Sequence, residues 1–249
     1  MIIIKNQREI DYMRKSGAIA AEALIRGGEE VKPGVSTKHI NDVIEKFIRS
    51  KGAIPSFLGY GGFPASACIS INDEVIHGIP TDTRIVKDGD IVSIDVGVLL
   101  NGYHADTANT FPAGKVSEEA KRLIDVTRTC FYEGMKYATA GNRLGDVGNA
   151  ISAYALKNGC SVVYEFVGHG VGTQLHEDPS VPNYGAKGKG RRLEKNMTIA
   201  VEPMINLGVP DVERLSDNWT VVTKDGKLSA HYEHSIAITN GEPLILTSP

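Results

Sequence analysis

The chain has 249 residues, 41% hydrophobic and 23% charged, enough for one large folded domain or two small ones. A formal net charge of −3 offers no basic surface for general nucleic-acid or DNA binding. No run approaches the roughly 18 apolar residues of a membrane span. The opening MIII is too short for a signal peptide. Cys68, Cys130 and Cys160 lie far apart without a CxxC, which fits a reducing cytosol and argues against structural zinc. A cytoplasmic monomer, of a size typical of enzymes, is the expectation.

Ile10, Met13, Ala18, Ala21 and Leu24 recur near helical spacing and predict a first helix over 7–29. A Pro-Gly turn follows. Val35, Ile40, Val43, Ile44 and Phe47 then mark a second helical face, closed by Gly52. "DIVSIDVGVLLNGYHADTANTF" reads as a β-hairpin turning at Asn101-Gly102. Ser117, followed by acids, caps a third helix. Leu144, Val147, Ile151 and Tyr154 line a fourth, ended by Gly159.

Parts of this order repeat. Gly34 to Gly52 matches Gly141 to Gly159 at an offset of 107, and "KDGDIVSIDV" matches "EKNMTIAVEP" at the same offset, with Asp95 over Glu202. "HGIP" matches "HEDP" at an offset of 99, pairing His77 with His176, while His169 falls on Ser70. Helices alternating with hairpins in two related halves, 1–115 and 116–249, predict one α+β domain with a site between them.

With Asn101-Gly102 as the turn, Asp106 opposes Gly97 and lies diagonally from Asp95, roughly 7–8 Å away on the same face. The strand is apolar on both faces, which argues for burial, so the two acids need a cation or proton between them. Glu202, in the apolar strand "MTIAVEPM", and Glu233, in "LSAHYEHSIAI", bring the strand-borne carboxylates to four. Each alone is more often a paired or edge acid. As a set with one histidine they exceed one tetrahedral zinc and suit two carboxylate-bridged ions, with Mn²⁺, Fe²⁺ or Co²⁺ (manganese, iron, cobalt) fitting the oxygen-rich donors.

The ordered set Asp95, Asp106, His169, Glu202 and Glu233 resembles the ligand set of the methionine aminopeptidases, pita-bread metallopeptidases. "GYGGFPASACISINDEVIHGIP", "GHGVGTQLHEDPSVPNY" and "WTVVTKDGKLSAHYEHS" carry the resemblance across nearly the whole chain, in the short bacterial type I form. It implies two pseudosymmetric halves, with antiparallel sheet and outer helices. It also implies that Asp95 chelates one ion, that His169 and Glu202 hold the other, and that Asp106 and Glu233 bridge them. Glu202 would take the proton of the attacking water. His77 would stand near the substrate amide nitrogen and His176 near the scissile carbonyl. The matching methionine-pocket positions are Phe57, Tyr60, Phe63, Cys68, Leu175 and Trp219; taken singly, each is more often a core residue.

The sequence departs from the family at Leu175, often phenylalanine, and at His231, usually glutamine. Strand alternation puts His231 on the Glu233 face and His234 on the opposite one. The implied activity is removal of N-terminal methionine from nascent polypeptides with a small second residue. The alternatives are an Xaa-Pro peptidase of the same fold, whose chains usually add an N-terminal domain, and a non-enzymatic binding protein. Lys187, Lys189, Arg191 and Arg192 form a basic loop, most often simply a solvated face; a transient ribosome contact is its functional alternative.

Overall fold

Four helices form where apolar periodicity predicts them in this computed structural model, which describes residues 1–249. α1 spans Gln7–Glu29, α2 Thr37–Ser50, α3 Glu118–Met135 and α4 Leu144–Lys157. A reciprocal capping box starts α1. The Glu9 N–H donates to Asn6 Oδ1 at 3.1 Å, and the Asn6 N–H donates to Glu9 Oε2 at 2.7 Å. Ser117 caps α3 by accepting the Ala120 N–H at 3.1 Å. Beyond α2 and α4 the chain turns at Gly52 and Gly159, with left-handed φ of 71° and 69°.

The Ile91–Leu100 and Tyr103–Pro112 strands pair over all ten residues, turning at Asn101-Gly102 with φ of 53° and 81°. Asp106 opposes Gly97 and Asp95 opposes Ala108, the register expected from the turn. Tyr103–Pro112 next pairs with Glu233–Ala237, then come Thr198–Val201, Gly168–Gly170 and Glu177–Val181, all antiparallel.

Period-two alternation sorts this sheet into two faces. Val92, Ile94, Val96 and Val98 enter one core with Ala20, Leu24, Ile40 and Ile44 of α1 and α2. Ile199, Val201 and Ile236 enter a second core with Leu123, Phe131, Val147 and Ile151 of α3 and α4. The other face therefore carries Asp95, Asp106 and Glu233.

The halves match in geometry. α2 and α4 each have 14 residues and begin 107 positions apart, as do the Ile91 and Thr198 strand starts. Ile71 opposes Val92 and Gly170 opposes Ile199, so Ser70 and His169 hold equivalent places. At the seam Ala108 pairs with Glu233. Thr110 Oγ1 accepts the His231 N–H and donates to His231 O, both at 2.9 Å. Ser235 Oγ does the same for Asp106, also at 2.9 Å. A local two-fold between Ala108 and Glu233 thus exchanges Asp106 with His231.

The second half is not a simple hairpin. After Val201 the chain leaves the large sheet and builds short strands at Met204–Asn206, Val212–Arg214, Val221–Thr223 and Ser229–His231 before returning. The break follows from Pro203, which cannot donate to a ladder. Glu202 consequently lies one residue past its strand. Ser229–His231 and Glu233–Ala237 are separate strands in different sheets, because the Tyr232 N–H turns to Pro203 O at 3.2 Å.

Candidate metal centre and substrate pocket

One cavity opens on the polar face of the seam. Its lining includes Asp95, Asp106, His169, Glu202 and Glu233, and contains no lysine or arginine. One ligand atom each from Asp106, His169 and Glu233 lies within 4.8 Å of the others. His169 Nε2 is 3.8 Å from Asp106 Oδ2 and 3.6 Å from Glu202 Oε1. Asp95 Oδ1, Asp106 Oδ1 and Glu233 Oε1 are buried without any hydrogen-bond partner.

Burial raises the pKa of every carboxylate in this group, and neighbouring negative charge adds to it at Asp95, Glu202 and Glu233. Burial pushes Asp106 up to about 7. For Asp95 the neighbouring Asp106 and Glu202 charges add to burial; for Glu202 it is Asp106, and for Glu233 it is Asp106, Glu202 and Asp95. Orphaned oxygens in such a cluster require protons or a cation. Oxygen donors plus one imidazole fit divalent ions of the manganese, iron or cobalt type.

His169 is oriented for ligation. Its Nδ1–H donates to Gly170 O at 2.8 Å, which leaves the Nε2 lone pair facing the carboxylates. Burial, with His176 adding, pushes its pKa down to about 3, so the ring is neutral at pH 7. His231 presents a buried, unpartnered Nε2 3.9 Å from both Glu202 Oε2 and Glu233 Oε2. His234 faces away, toward Phe131 and Thr247.

The opposite wall is apolar. Phe57, Tyr60, Phe63, Cys68, Leu175 and Trp219, the six expected pocket positions, all line the same cavity. Phe63 meets Trp219 edge-on at 5.1 Å. Gly97 makes room for Phe57, because a Cβ there would lie 2.6 Å from the Phe57 ring. Burial first, then the Asp95 charge, drives the Cys68 thiol well up, so it is no nucleophile. Phe166, Val167 and Ile76 also line the cavity and were not read from the sequence. The adjacency of an apolar pair to "GHG" was the one available signal.

The two outer histidines sit between the walls. His77 has φ of 60°, an uncommon left-handed conformation for a non-glycine residue. Its ring lies edge-on to Phe166 at 6.0 Å and to Trp219 at 6.2 Å. Burial, then the Arg214 charge and His176, pushes its pKa down to about 4. His176 shares a 2.8 Å hydrogen bond between Nδ1 and the Tyr60 hydroxyl, and its ring centroid is 4.1 Å from that of His169. Only His169 of that close pair has a carboxylate within ion-pairing distance.

Away from the cavity, the basic loop lies against α4. Arg191 pairs with Glu194 at 3.0 Å and Arg192 donates to Gly141 O at 2.8 Å, and Lys187, Lys189, Arg191 and Arg192 are all exposed.

Comparison with known proteins agrees with this geometry. The chain is 53% identical to the methionine aminopeptidase of Clostridium perfringens over 247 residues, covering 99% of each chain. It is 51% identical to methionine aminopeptidase 1 of Bacillus subtilis, also over 99% of each. A crystal structure of methionine aminopeptidase from Rickettsia prowazekii superposes with a TM-score of 0.97 at 44% identity, covering all of both chains. The prolidase of Pyrococcus horikoshii shares the pita-bread fold at a TM-score of 0.78 and 23% identity, with 64% of that chain covered. The model of metallopeptidase family M24 matches residues 11–240, and the chain belongs to that family.

Proposed function

We propose that the chain removes methionine from the N-termini of polypeptides with a small second residue. One observation carries this: the cavity joins an uncompensated acidic cluster to an apolar, sulfur-tolerant wall. High identity to methionine aminopeptidases, set against 23% to a prolidase, favours this over Xaa-Pro cleavage. The domain reading is one catalytic unit formed by duplication, with halves near 1–115 and 116–249.

In this reading Asp95, Asp106, His169, Glu202 and Glu233 would together hold two divalent ions, with His169 offering its Nε2 lone pair and the four acids their carboxylate oxygens. Two divalent ions at such a donor set lower the pKa of water and stabilise charge developing on a carbonyl oxygen. Glu202 would accept the proton of the attacking water as general base. Neutral His77 hydrogen-bonds the substrate amide nitrogen, and His176 the scissile carbonyl. Phe57, Tyr60, Phe63, Cys68, Leu175 and Trp219 enclose the methionine side chain and exclude water.

Methionine release from Met-Ala-Ser with Mn²⁺ or Co²⁺, compared with Xaa-Pro peptides, tests the proposal. Turnover of Met-Ala-Ser alone is expected. Faster Xaa-Pro cleavage would reverse the assignment, and metal binding without turnover on either would make this a binding protein. We further propose a cytoplasmic monomer acting on nascent chains, touching the ribosome through Lys187, Lys189, Arg191 and Arg192. Undiminished ribosome cosedimentation after all four are neutralised removes that contact.

A further inference from the structure

We propose that Lys5 is a positioning residue for His176, acting through a buried ion pair with Glu177. The proposal rests on the reading in which His176 handles the substrate carbonyl.

Lys5 Nζ lies 2.5 Å from Glu177 Oε2, and the two side chains are only 3% and 5% exposed. Two charges removed from water this completely hold each other in place, because either alone is costly to bury. Lys5 is itself anchored. Its N–H donates to Asn196 O at 3.1 Å and its ammonium also donates to Ile3 O at 3.1 Å.

Glu177 immediately follows His176 and organises the turn that presents it. Glu177 Oε1 accepts the Gln174 N–H at 3.1 Å and the Thr173 hydroxyl at 3.4 Å. The turn also closes through the Gly172 N–H to Gln174 O at 3.0 Å, while Gly172 O accepts the His104 N–H at 2.8 Å. Gly172 is the passage for the lysine: a Cβ there would lie 2.5 Å from Lys5 Cε and 2.6 Å from Glu177 Oε1. Against this bracing, the His176 ring has a single side-chain hydrogen bond, to Tyr60. The backbone of the 172–177 turn therefore sets where the imidazole points, and Lys5 holds that backbone from outside the cavity.

The test is a double-mutant cycle of Lys5→Met with His176→Ala, reading kcat, KM, Mn²⁺ affinity and the His176 imidazole signals in the metal-free protein by NMR. Lys5→Met is expected to lower kcat at least tenfold with KM and Mn²⁺ affinity within twofold, and to shift the His176 signals. In the His176→Ala background it is expected to change kcat less than twofold. Glu177→Gln, which keeps the turn's acceptor but removes the charge, should repeat this pattern and serves if Lys5→Met does not fold. Equal kcat losses in both backgrounds, parallel loss of metal affinity, or unmoved His176 signals overturn the proposal. Full activity of His176→Ala alone would instead remove the catalytic reading of His176. The brace would then stand or fall on the imidazole signals.

Discussion

The two halves of the molecule use one backbone plan to carry different chemical loads. Asp106 and His231 occupy exchangeable places beside the two-fold, each clasped through N–H and C=O by a hydroxyl of the other half. One place presents a carboxylate with a raised pKa. The other presents an imidazole that burial, with His77 adding, pushes down to about 3. Similarly, Ala108 stands where its seam partner Glu233 stands in the second half. Backbone symmetry fixes where side chains point, and substitution within it decides which of them are donors.

Breaking the acidic side of that comparison should have the largest effect. Asp106→Asn is expected to lower activity by at least ~1000-fold together with metal affinity, measured by Mn²⁺ titration and methionine release. At the equivalent place, His231→Gln should change affinity by no more than about tenfold, the lower end for groups supporting a ligand. Comparable losses at both positions would make His231 a ligand in its own right; unchanged affinity and activity would leave it no tuning role.

Next in size is the division between His169 and His176. His169→Ala should impair metal binding. His176→Ala should retain metal and lose about 100- to 10,000-fold in kcat, the usual contribution of positioned proton-handling groups. Equal metal loss in both variants would collapse the distinction.

A third test uses pH on the protein stripped of metal with EDTA. His77, His169 and His231 have folded pKa values pushed down to about 4, 3 and 3, so their stabilisation grows as pH rises toward ~6.5 and is constant above it. The carboxylates run the other way. With Asp106 near 7 and its neighbours also raised, the folded state holds more protons than the unfolded chain above about pH 4. Above about pH 6.5, where the histidine contribution is constant, stability should therefore fall as pH rises through the Asp106 value near 7, lowering Tm by a few degrees. Added Mn²⁺ should abolish the fall, and a flat Tm without metal would contradict the burial of charge.

The smallest effects sharpen the symmetry itself. Ser235→Ala and Thr110→Val each strand a buried N–H and C=O, and each should cost about 1–3 kcal/mol in denaturant unfolding. Costs differing by more than about 1 kcal/mol would show that the clasps are not equivalent.

The part of the site on the first half was legible because Asn101-Gly102 fixes a hairpin register, and register fixes which side chains share a face. That reasoning weakened where the chain breaks its own ladder. Pro203 and Tyr232 divide apparently continuous strands, so the face shared by His231 and Glu233 comes from a bend joining two sheets, not from one strand. Phe166 and Val167 escaped notice because they precede the short Gly168–Gly170 strand in irregular chain, where no hydrophobic period marks a direction.

The five proposed donors are divided between the two halves of the chain, Asp95 and Asp106 in the first and His169, Glu202 and Glu233 in the second. A cation grasped from both sides would be a fastener as well as a reagent. Part of its coordination energy would go into holding one half against the other. Losing it should slacken the joint along Thr107–His234 and Ala108–Glu233, changing the shape of the apolar wall along with the chemistry beside it.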